Sequence, residues 1–139
     1  MNFTDLYNPT LFAMALAGLL LLLQLIVADL TAIRAGHKAG YPIPADSGTF
    51  LFRAARAHAN TNESISVFVL FATVAILASA DPRWLNALSW AYLACRAGHM
   101  AAYYAGLKLP RSIIFGVSLA VLLGLFATAL QGLLGQGVA

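Results

Sequence analysis

Apolar residues run in four long blocks along the chain, parted by short polar breaks. The blocks cover about 11–33, 50–80, 84–107 and 112–134. A helix needs roughly 20 largely apolar residues to cross a hydrocarbon core, so each block is a candidate span. The breaks carry turn chemistry. GHKAGYPIPADSG, residues 36–48, has glycines, two prolines and charges. DPR (81–83) and KLPR (108–111) are very short, and Pro110 stands just ahead of the fourth block. The pattern predicts one domain over 1–139, an all-α integral membrane four-helix bundle with antiparallel neighbours. MNFTDLYNPT has neither a positive n-region nor a cleavage site, so the first block reads as a retained span.

Composition sharpens this. Among 139 residues, 61% are apolar and 9% charged, against roughly 25% charged in soluble domains. Lipid is therefore an expected partner. The net charge of +3 comes without any Lys/Arg run, which argues against nucleic acid. One cysteine, Cys95, excludes an internal disulfide and a Cys-based zinc cluster. The three histidines lie in different segments, so no metal site is expected. Arg34, Lys38, Arg53 and Arg56 lie in or beside the first loop, Lys108 and Arg111 at the third, and Arg83 alone at the second. The positive-inside rule then puts loops one and three in the cytoplasm and both termini outside, in an inner or plasma membrane.

Polar residues nevertheless enter the apolar blocks. The second block begins RAARAHANTNES, residues 53–64. At about 100° per residue, Arg53, Arg56, Asn60 and Glu63 fall within an arc of about 80°. Tyr92, Arg96, His99 and Tyr103 fall within about 60° on the third block. Charges inside spans are costly and usually face the bundle interior or a wet cavity. The two stripes predict a polar pocket in the cytoplasmic half. Glu63 and Arg96, at similar depth, are expected to form a structural ion pair or share one network. The excess of arginine suits a small ligand with carboxylates.

R-x-x-R-A-H-x-N-x-x-E in the second block, with R-x-x-H-x-x-x-Y in the third and R-S opening the fourth, resembles the MAPEG family, the membrane-associated proteins of eicosanoid and glutathione metabolism, in a bacterial-type form. The resemblance covers nearly the whole chain. It implies a homotrimer with glutathione as co-substrate between neighbouring subunits. By position, Arg56, Asn60 and Glu63, with Arg53 less closely matched, would hold the tripeptide from the second helix. His99 and Tyr103 would add contacts from the third, and Arg34 would come from the first helix of the neighbour. Arg111, with Ser112 beside it, would stand at the sulfur as the catalytic pair. Ala59 and Phe115 depart from the prostaglandin-synthase branch, which has a basic residue and a tyrosine there, and this weakens the case for an eicosanoid substrate.

The implied activity is glutathione S-transferase or peroxidase chemistry on a lipophilic small molecule. The alternative is a non-enzymatic lipid-binding or scaffold protein on the same fold.

Overall fold

A computed structural model describes residues 3–136. It contains four α-helices: α1 (Phe3–Arg34), α2 (Phe50–Leu77), α3 (Pro82–Tyr104) and α4 (Lys108–Gln136). The ends follow from local chemistry. Thr49 caps α2 by accepting from the Phe52 amide at 3.3 Å. Asp81 caps α3 by accepting from the Arg83 amide at 2.8 Å, with Pro82 in the first helical turn. Both caps satisfy donors that a helix start otherwise leaves open.

Two connections differ from the sequence expectation. The last turn is residues 105–107, and KLPR belongs to α4. Gly106, at φ +72°, supplies the left-handed residue that ends α3. Pro110 is tolerated because it is the third residue of α4, where its missing N–H has no helical acceptor to lose. The α2–α3 turn is likewise 78–81, with Ser79 at φ +50°. At the other extreme α1 starts at Phe3, ahead of the apolar block, and runs through Pro9.

The helices α2 and α3 form the central pair. Both α1 and α4 pack against this pair, and α1 does not touch α4 among the described residues. At one end, Tyr7 Oη donates to Ala80 O at 2.7 Å, and Thr10 Oγ1 donates to Asn86 Oδ1 at 2.7 Å. These bonds tie the start of α1 to the α2–α3 turn. Gly132 near the end of α4 lies there too, since a Cβ added to it would come 3.0 Å from Ala78 O. At the opposite end Phe50 meets Tyr104, with ring centroids 5.2 Å apart.

The interior is built from small and polar residues around a few large ones. Phe68 stacks on Tyr92 at 4.3 Å, beside Leu85 and Leu125. Ala54, Ala57, Ala72 and Ala75 line the buried face of α2. Thr10, Gln24, Ser89, Arg96, His99 and Ser118 are buried as well, while Leu22, Leu23, Leu70, Leu123 and Leu134 are exposed. Water would reject that distribution and lipid accepts it, because a hydrocarbon solvent does not reward burying leucine. Three helices are long and apolar enough to cross a membrane: Asp5–Arg34, Phe50–Leu77 and Lys108–Gly135. The protein is an integral membrane protein.

Candidate functional site

The two polar stripes meet different fates. On α3, Tyr92, Arg96, His99 and Tyr103 are all buried, so this stripe faces the bundle interior. On α2 the buried face is Ala54, Ala57, Thr61, Phe68, Ala72 and Ala75. Its centre lies roughly 110° around the helix from the Arg53–Glu63 stripe. Arg56 and Glu63 are therefore exposed on the protomer surface, and Asn60, at the edge of the stripe, is half-buried.

The expected Glu63–Arg96 ion pair is not formed. Arg96 is 1% exposed and is held by neutral groups instead. Its Nη1 donates to Asn60 Oδ1 at 2.9 Å and reaches Ser64 Oγ at 3.4 Å. Its Nη2 donates to Ser118 Oγ on α4. The reason is rotational. One residue along, Ser64 points toward α3, while Glu63 points out. Ser64 Oγ also meets Tyr92 Oη at 2.8 Å.

Between α2, α3 and α4 lies a pocket of about 200 Å³, lined by Asn60, His99, Tyr103, Arg111, Ser112 and Phe115. The Arg111 guanidinium sits over the Tyr103 ring, 4.6 Å from its centroid. His99 meets Tyr103 edge-on at 5.0 Å and tilts against Phe115 at 6.2 Å. Ser112 Oγ donates to Lys108 O at 3.2 Å. Larger hollows exist, such as one of about 500 Å³ between the end of α1 and loop one. That hollow holds Asp29, His37 and Tyr41 among Ala, Gly and Ile, and it gathers no arginine. The smaller pocket is the better candidate because an arginine, a histidine, a phenol, a hydroxyl and an amide converge on it.

Four of the expected ligand residues do not line this pocket. Arg53 Nη1 donates to Ser47 O at 3.0 Å and Gly48 O at 2.9 Å, so it closes loop one onto α2. Arg56 and Glu63 flank Asn60 on the outer face of α2, one turn to either side. Arg34 ends α1 and is exposed. Arg34 is not among the residues that line the pocket of its own protomer.

The MAPEG family model matches residues 9–131. The chain belongs to the MAPEG family. Comparison with the curated proteins returns no match. The family match takes in every residue of the pocket, and it makes the chain a glutathione-related membrane protein in the general sense of that family.

Two residues around this MAPEG pocket carry little signal in the sequence. Ser64 and Ser118 anchor Arg96, yet a single serine in an apolar run reads as neutral. Ser64 sits one turn past Asn60, which is the only hint it gives. Phe115 supplies the apolar wall against His99.

Proposed function

We propose that this protein binds glutathione in the pocket between α2, α3 and α4 and uses its thiolate on lipophilic electrophiles or hydroperoxides. The observation that carries the reading is the convergence of Asn60, His99, Tyr103, Arg111 and Ser112 on one pocket in a MAPEG chain. Arginine, hydroxyl and amide donors suit the carboxylates, carbonyls and thiolate of the tripeptide.

Arg111 is the group assigned to the sulfur. A free thiol with a pKa near 8.5 is mostly protonated at neutral pH, and a fixed guanidinium favours the anion. In conjugation the thiol proton leaves to solvent, the sulfur pair forms the bond to carbon, and the leaving group departs. In hydroperoxide reduction the thiolate attacks the terminal peroxide oxygen, the O–O bond breaks, and the alkoxide leaves as the alcohol after taking a proton from water. A second glutathione then displaces water from the resulting sulfenic acid to give the disulfide.

The pocket of about 200 Å³ takes Asn60 from α2, and Arg56 and Glu63 lie exposed one turn to either side of it. Asp29 and Arg34 are exposed on α1. Charges facing lipid at these depths are costly. A homotrimer in which α1 of one protomer covers α2 of the next relieves that cost and brings a neighbour's Arg34 toward the pocket. In this reading all four helices cross the bilayer. Helix α3 is the least apolar, but short turns join it to α2 and α4, so it must return across. Loops one and three face the cytoplasm.

The test is glutathione binding in detergent, with ultraviolet absorbance reporting the bound thiolate and turnover measured on a model electrophile and a lipid hydroperoxide. Binding with thiolate absorbance and turnover supports the enzyme reading. Binding without either supports the scaffold alternative. No binding removes glutathione from the assignment.

A further inference from the structure

The side chain of Asn60 has two ends of opposite chemistry, an acceptor oxygen and a donor NH₂. Position alone rarely tells the two apart, and the hydrogen-bond partners decide. Here the partner is unambiguous. Arg96 Nη1 lies 2.9 Å from the amide, and a guanidinium only donates. Oδ1 must face Arg96, which leaves the NH₂ for the pocket that Asn60 lines. Arg96 in turn is gripped from both sides. Ser118 Oγ gives its own proton to Phe115 O at 2.9 Å and so turns its lone pairs to Arg96 Nη2. Ser64 Oγ sits on the α2 side at 3.4 Å from Nη1.

We propose that Arg96, which does not itself line the pocket, is a positioning residue that fixes Asn60 as a hydrogen-bond donor to the ligand. This subsite then takes an acceptor, a carboxylate or carbonyl oxygen, and rejects an ammonium, which has no lone pair to offer. The choice of ligand rests on the glutathione reading, while the geometry does not.

Glutathione affinity is measured by titration calorimetry in detergent. Asn60→Ala weakens binding about tenfold, the scale of one hydrogen bond to a charged acceptor. Arg96→Lys weakens it by a similar factor, because one ammonium cannot span Asn60 and Ser118 as the fork does. In an Asn60→Ala background the same change adds less than about twofold, since coupled residues are not additive. Ser118→Ala, at a position outside the pocket, reproduces the effect of Arg96→Lys in the same background-dependent way. Asn60→Asp keeps an acceptor on Arg96 but shows the pocket an oxygen, and it binds more weakly than Asn60→Ala. Equal losses from Arg96→Lys in both backgrounds, or wild-type affinity in Asn60→Asp, overturn the proposal. A second readout needs no ligand. The side-chain NH₂ resonances of Asn60 should shift in Arg96→Lys and in Ser118→Ala, and unchanged resonances in both overturn the proposal. Failure of the wild type to bind glutathione overturns the glutathione reading instead, and the resonances then decide this one.

Discussion

The Arg111 guanidinium lies 4.6 Å above the ring of Tyr103. The aromatic face attracts the cation and holds it beside Ser112 at the start of α4 without neutralising it as a carboxylate would. If that charge stabilises a thiolate, Arg111→Ala should lower turnover by roughly 10²–10³, by analogy with lost oxyanion donors, while leaving much of the glutathione affinity. Arg111→Lys should recover only part of the rate, because it lacks the planar fork. Parallel conjugation and binding assays check this, and an unimpaired Arg111→Ala variant rules out the role.

Two neighbouring positions on α2 and α3 should differ sharply in stability. Arg96→Ala leaves Asn60 Oδ1 and Ser118 Oγ without their donor and should cost on the order of 1–3 kcal/mol, with the space vacated by a buried side chain adding to it. Glu63→Ala removes a group exposed on the protomer and should cost the protomer fold itself less than about 1 kcal/mol. Thermal unfolding in detergent without glutathione is the comparison. A large loss from Glu63→Ala would place that carboxylate in a contact outside the protomer.

Glycines on α4 should separate in the same way. An added Cβ at Gly132 would crowd Ala78 O and Ala80 at the turn that ends α2, while Gly116 has nothing within 4 Å. Gly132→Ala should destabilise by about 1–3 kcal/mol. Gly116→Ala should be neutral or gain up to about 1 kcal/mol from helix propensity. Similar melting temperatures for the two variants would contradict this packing.

The ends of the bundle also make a prediction. The start of α1, the α2–α3 turn and the end of α4 share one end, and the arginines and lysines of loops one and three share the other. A reporter fused at Ala139 should therefore report the non-cytoplasmic side. A cytoplasmic signal reverses the assigned orientation.

Much of this was legible in the order of residues. Four helices follow from hydropathy and breaks, and the inward face of α3 follows from Tyr92, Arg96, His99 and Tyr103. The rotation of α2 did not. A polar stripe marks a face that avoids lipid, but it does not say whether a neighbouring helix or something beyond the protomer covers it. Ala54, Ala57 and Ala72 won the interior because small side chains allow close helix contact, and this turned Arg56 and Glu63 outward. The start of α4 was also displaced by four residues, since Pro110 reads as a break although the first helical turn accepts it.

Ser118 lies seven residues after Arg111, and two turns of helix bring the two onto nearly one line, within about 20°. Farther along α4 the packed face is set by close contacts, Gly124 on Leu88 and Gly132 on Ala78 and Ala80. Thr128 bonds to its own helix at Gly124 O, so it gives no preferred setting. The hydroxyl of Ser118 on Arg96 is thus a polar detent on an axle whose other stops are steric. It indexes α4 and leaves Arg111 aimed over Tyr103.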